Sequence, residues 1–94
     1  MRKVTRKVVG AFIAKMSANE GNSRTDGKSL YLHGNEIARW AEDGKLEICT
    51  AGWASNVTKE RLNALPNVHI HQKNFQWYLN GKPWATPSRW TEVS

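Results

Sequence analysis

The chain has 94 residues, 39% apolar and 10% aromatic with five Trp, and a formal net charge of +6. These values bound it to a single domain over residues 1–94, too apolar for a disordered chain. No run approaches the roughly 20 apolar residues of a membrane helix, and the lone Cys49 excludes an internal disulfide, which fits a reducing cytosol.

Residues 4–16 read as an amphipathic helix starting at Val4 or Thr5. On a helical wheel Thr5, Val8, Val9, Phe12, Ile13 and Met16 share one arc, and Lys3, Arg6 and Lys7 share another. The bases ahead of residues 8–14 mimic a signal peptide, but Lys15 closes the apolar stretch and no clear cleavage site comes after it. Residues 17–27 read as a polar, Gly-containing loop.

Residues 28–51 read as a three-stranded antiparallel meander turning at Gly34-Asn35 and Asp43-Gly44. That register sets Leu32 opposite Ile37, Tyr31 opposite Ala38, Ala41 opposite Leu46 and Arg39 opposite Ile48. One face then carries Leu30, Leu32, Ile37, Ala41, Leu46 and Ile48, and Trp40 lies on the other beside Glu47. Residues 58–65 read as a short helix with Thr58 as N-cap, Glu60 in the first turn and Pro66 at the end.

Residues 68–72 alternate as a strand, residues 75–79 form another, and Asn80-Gly81 turns the chain so that Trp77 faces Trp84. Pro83 and Pro87 confine the C-terminal stretch to an edge or coil, with residues 1–3 and 86–94 as loose termini. The order is that of an α+β domain: an N-terminal amphipathic helix, a three-stranded antiparallel meander, a short second helix and a C-terminal β-hairpin.

Three motifs in order carry a resemblance. They are the run Leu30-Tyr31-Leu32-His33-Gly34-Asn35-Glu36-Ile37-Ala38, then Ala51-Gly52-Trp53, then Thr58-Lys59-Glu60-Arg61-Leu62-Asn63. Together with the basic N-terminal helix they resemble a family of small proteins encoded by tailed bacteriophages, over most of residues 4–82. The resemblance implies a phage origin and expression in host cytoplasm, and it assigns no activity. Ser55 departs from a stretch that the resemblance implies to be richer in Thr.

Catalytic and metal signals are thin. There is no Ser-centred elbow, Gly-rich phosphate loop or His-Glu helix motif. His69 and His71 share a strand face, but two ligands fall short of the four of a closed zinc site, so a structural role is expected. His33 is expected to hydrogen-bond backbone beside its Gly-Asn turn. Cys49 is expected as a packed core thiol, and Glu42-Asp43 as turn residues rather than an acid–base pair. No enzyme, metal or cofactor is expected.

The acids are unevenly spread. Residues 1–16 and 61–91 contain none, while Lys3, Arg6, Lys7, Lys73, Lys82 and Arg89 lie there, and the C-terminal segment with Phe75, Trp77, Tyr78, Trp84 and Trp90 is the strongest binding candidate. A stripe of like charge costs self-repulsion, so its lack of balancing acids points to a partner. If Trp77 and Trp84 face solvent, they form a stacking platform for unpaired bases; a domain this small must also bury at least two of its rings. The junction at residues 52–58 precedes a helix N-terminus, where Thr58 and Arg61 offer an anion site, or Thr58 caps the helix and Trp53 is core.

The reading is a small non-enzymatic phage binding protein that engages DNA or RNA through a basic, Trp-bearing surface in host cytoplasm. The alternatives are an accessory protein that modulates an acidic host protein, and a self-assembling module using its open strand edges. No membrane partner is expected, and the oligomeric state stays open.

Overall fold

In a computed structural model, which describes residues 3–52 and 55–93, the elements run in this order: α1 (Lys3–Ile13), β1 (Ser17–Glu20), β2 (Ser23–Asp26), β3 (Ser29–Leu32), β4 (Asn35–Trp40), β5 (Leu46–Ile48), α2 (Asn56–Asn63), β6 (Ile70–Lys73), β7 (Gln76–Leu79), β8 (Lys82–Pro83) and β9 (Thr91–Val93). Strands β1-β2-β3-β4-β5-β9 form an antiparallel six-stranded sheet, and β6-β7-β8 a smaller antiparallel one. The fold is α+β.

Helix α1 forms because its apolar residues recur at helical spacing, and it buries Thr5, Val8, Val9 and Phe12 while Lys3, Arg6 and Lys7 stay exposed. It ends in a Schellman turn. Lys15 takes a left-handed φ of 59°, its N–H donates to the Phe12 carbonyl (3.1 Å), and the Met16 N–H donates to the Ala11 carbonyl (2.8 Å). This termination turns Ile13 and Met16 out of the expected apolar arc, leaving them 41% and 63% exposed.

The expected loop at residues 17–27 is instead the β1–β2 hairpin. Its inward side chains are Ser23 and Thr25 rather than apolar residues, so no hydrophobic alternation announces it. Their hydroxyls are satisfied: Thr25 donates to the Ser29 carbonyl (2.7 Å), and Ser23 donates to the Asn22 amide oxygen (2.9 Å). At Gly27 (φ 93°) a Cβ would meet the Lys15 carbonyl oxygen at 2.8 Å, so glycine lets the β2–β3 turn close against the end of α1.

The meander forms as β3–β4–β5, with corrected registers. The first turn centres on His33-Gly34, both at positive φ, which pairs Leu32 with Asn35 and Tyr31 with Glu36. A β-bulge then makes Ile37 an extra residue, so Leu30 pairs with Ala38 and both Ile37 and Ala38 are buried. The second turn is a three-residue loop closed by Gly44 (φ 83°), pairing Trp40 with Leu46 and Arg39 with Glu47. Trp40 therefore lies on the α1 side, stacked on Phe12 at 5.2 Å, its Nε1 donating to the Phe12 carbonyl (3.1 Å).

Helix α2 starts before the expected position. Ser55, not Thr58, is the N-cap: its Oγ accepts the Thr58 N–H (3.2 Å), and Thr58 is buried as the third helical residue. The expected loose tail over residues 86–94 is likewise corrected. It ends in β9, which pairs with β5 through Leu46–Val93, Glu47–Glu92 and Ile48–Thr91, and Val93 is buried.

One core joins these parts. Val8, Val9 and Phe12 of α1, Leu62 of α2, and Trp77 and Trp84 beside β7–β8 meet Leu30, Leu32, Ile37, Leu46 and Ile48 on one face of the large sheet. Helix α2 touches both α1 and β6. The opposite sheet face is uncovered and polar, with Arg24 lying over the Tyr31 ring (4.0 Å) and Arg39 over Trp90 (3.9 Å).

Candidate nucleic-acid interface

The cations of the two acid-free segments are exposed, but they occupy separate patches. Lys3, Arg6 and Lys7 line the outer side of α1, which lies across β1 and β2 at one edge of the large sheet. Lys73 and Lys82 flank opposite ends of β7 in the small sheet, and Arg89 lies in the segment entering β9 at the other edge. Contact with both α1 and β6 sets α2 between the helix patch and the hairpin patch.

The protein's own acids are largely engaged. Among the described residues, Lys7 pairs with Glu20 (2.8 Å), Arg39 with Glu47 (2.7 Å), Lys45 with Glu92 (3.3 Å) and Arg61 with Glu60. The Lys7 hydrogen bond and charge, with Lys3 adding, hold the Glu20 carboxyl below its usual pKa. Asp26 is also lowered, because the N–H groups of Ser29 and Lys28 donate to it at 2.8 and 2.9 Å. Glu36 accepts the Ser29 hydroxyl, and Asp43 the Lys45 N–H (3.0 Å). Arg6, Lys73, Lys82 and Arg89 have no ion-pair partner among the described residues.

The stacking platform expected of Trp77 and Trp84 is corrected. The pair does face across the Asn80-Gly81 turn, with the Trp84 N–H donating to the Trp77 carbonyl (2.9 Å) and ring centroids 6.4 Å apart. Both rings point inward, however, at 8% and 5% exposure, and Trp84 Nε1 donates to Thr91 Oγ1 (3.0 Å). They join the small sheet to the core and to β9, and have no face left for a base. Trp90 is held under Arg39, and Trp53 lies outside the described residues.

The anion site expected of Thr58 and Arg61 is corrected as well. Arg61 is 1% exposed and points away from the start of α2 into the corner between α1 and β2. Its Nε donates to Ser23 Oγ (3.0 Å), Nη1 to Thr5 Oγ1 (2.6 Å) and to Glu60, and Nη2 to Asn22 Oδ1 (3.2 Å). A cavity of about 360 Å³ does open at the start of α2, but Leu32, Ile37 and Val57 line it beside Ser55 and Thr58. His33, Asn35 and Thr50 complete its lining, which holds no Lys or Arg among the described residues.

Cys49 is buried, its Sγ donating to the Glu36 carbonyl (3.4 Å), and burial pushes its thiol pKa up. A raised pKa lowers the thiolate fraction that a nucleophile needs. His71 stacks on Tyr78 at 4.8 Å, and His33 lies 3.5 Å from the Asn22 amide rather than on backbone. Among the described residues no group of three or more His, Cys, Asp or Glu stands close enough to hold a metal, and no helix is long and apolar enough to cross a membrane.

Of the aromatic C-terminal segment, the ring left to solvent is Phe75, expected as the first residue of a strand but found 97% exposed at the tip of the β6–β7 hairpin. Asn74 and Phe75 form that turn with φ of 51° and 65°. The turn at the other end of β7 uses Asn80 and Gly81 at 52° and 84°, the residue pair that such turns prefer. A left-handed conformation costs an L side chain roughly 1–2 kcal/mol, and a ring so exposed recovers little by burial. The available signal was its place between Asn74 and Gln76, an interruption of two alternating runs.

Comparison with curated proteins and with solved structures finds no match for the chain. Comparison with protein families does: residues 1–92 match the Kyanoviridae Gp96 protein family. The helix, the Leu-His-Gly-Asn turn and the Arg-Leu-Asn helix all fall within that match, so the phage resemblance has a definite address. The chain belongs to the Kyanoviridae Gp96 protein family, a family of tailed-phage proteins.

Proposed function

We propose that this phage protein is a small, non-enzymatic binding protein that engages nucleic acid in the host cytoplasm through its exposed, acid-free cations. The observation that carries the reading is the internal use of the acids. Glu20, Glu47, Glu60 and Glu92 pair with bases, while Arg6, Lys73, Lys82 and Arg89 have no ion-pair partner among the described residues. Unbalanced surface cations gain free energy by displacing counterions from a phosphate backbone.

Two patches with α2 between them suit a partner that extends over the surface more than one that enters a cleft. A second reading, an acidic host protein, is favoured by Ile13 and Met16, which are exposed at the end of the basic helix. The test is fluorescence anisotropy with short labelled DNA and RNA over a salt series. Log K for single strands should fall by about 0.7 per phosphate contact for each decade of salt, so three contacts give a slope of roughly −2. Salt-independent binding, or none at low salt, overturns the nucleic-acid reading and leaves the protein partner.

A further inference from the structure

The β6–β7 hairpin spends conformational freedom to display an aromatic ring. Its tip holds Phe75 in a left-handed conformation at 97% exposure, and the Asn80-Gly81 turn on the same strand keeps the residue that suits this geometry. Directly below the tip, Lys73 pairs with Gln76, and two pairs further His71 pairs with Tyr78, the two rings stacked at 4.8 Å. Strand alternation puts these four side chains on the hairpin face opposite Ile70 and Trp77, which are buried. Residues 61–91 contain no acid, so no carboxylate within that segment repels a polyanion.

We propose that this hairpin tip is a single-strand contact, in which Phe75 stacks on an unpaired base while Lys73 holds a neighbouring phosphate. This inference rests on the nucleic-acid reading above and names its substrate class. An exposed aromatic accepts any base on its π face, and a base inside a duplex has both faces already stacked. A tip of one ring and one cation therefore prefers single strands or extruded bases over paired DNA. Asn74, next to Phe75 in the turn, carries an amide of the kind that bonds base edges, whereas the Gln76 amide donates to the Trp77 carbonyl (2.9 Å).

The test is anisotropy with a labelled 12-nucleotide single strand and the matching duplex at low salt, using the full chain and the Phe75→Ala and Phe75→Gly variants. The wild-type chain should prefer the single strand. Both variants should lose roughly ten-fold in single-strand affinity, the loss of one stacked base, with duplex binding unchanged. Phe75→Gly fits the left-handed turn, so it should stay folded with an unchanged or higher melting temperature. Single-strand affinity undiminished in a folded Phe75→Gly protein overturns the tip proposal while leaving the phosphate reading intact. Equal losses on single strand and duplex also overturn it. If the wild-type chain binds no oligonucleotide, both readings fall together.

Discussion

Replacing Arg61 with Leu is expected to lower the unfolding free energy by about 2–4 kcal/mol, the cost of leaving several buried or half-buried acceptors without the guanidinium's donors, with Glu60 itself partly open to solvent. The guanidinium is 1% exposed and bonds Ser23, Thr5, Asn22 and Glu60, tying α2 to α1 and to the β1–β2 hairpin. Its loss removes a donor from each of those groups at once. Against a total of roughly 5–15 kcal/mol for a small domain, that is a large share. Arg61→Lys should recover only part of it, because one ammonium cannot reproduce a planar fork of donors. Urea unfolding followed by circular dichroism measures the change; a loss under about 1 kcal/mol would contradict the clamp.

Trp84→Ala is expected to cost about 3–5 kcal/mol, typical of truncating a large buried aromatic ring. Trp84 is 5% exposed, packs with Trp77 and donates to Thr91, so its removal also loosens β9 from the small sheet. Trp84→Phe keeps most of the ring volume and loses the indole N–H, a cost of about 1–2 kcal/mol. That milder variant separates a core role for the ring from a stacking role. If Trp84 is core, the folded Trp84→Phe protein binds single strands within about two-fold of wild type. If it were a stacking surface, affinity would fall with little change in stability.

The parts of the fold legible in the sequence are those written in apolar periodicity. The buried face of α1 came from Val8, Val9 and Phe12 at helical spacing, and the inner face of the meander from Leu30, Leu32, Ile37, Leu46 and Ile48. That face was right only in part: moving the turn to His33-Gly34 shifts the pairing by two residues and keeps Ile37 inward, but the bulge there then shifts the phase by one, so Ala38 and Trp40 replace the expected Ala41 on the inner face. The β1–β2 hairpin was not legible, since its inward residues are Ser23 and Thr25, which gain partners only from Asn22, Ser29 and Arg61 in the folded chain.

The same corner explains the misassignment of Arg61. A base in a short helix reads as exposed until Thr5, Ser23 and Asn22, dozens of residues away, converge on it. Trp77 and Trp84 were correctly paired across their turn, yet pairing alone does not say which side of a hairpin meets a core. The small sheet faces inward with them because Leu62 of α2, Leu65 and Val68 of the connection after it, and Ile70 of β6 join the same core. Phe75 was visible as an aromatic, but an Asn-Phe turn carries no established signature.

Amide chemical-shift mapping of the labelled protein with a short single-stranded oligonucleotide at low salt tests the central claim most directly. The account predicts the largest perturbations at residues 73–76 of the hairpin tip, with smaller, salt-sensitive ones along the outer side of α1 at Lys3, Arg6 and Lys7. Perturbations centred on the uncovered sheet face around Tyr31 and Arg39, or no perturbation at all, would contradict it.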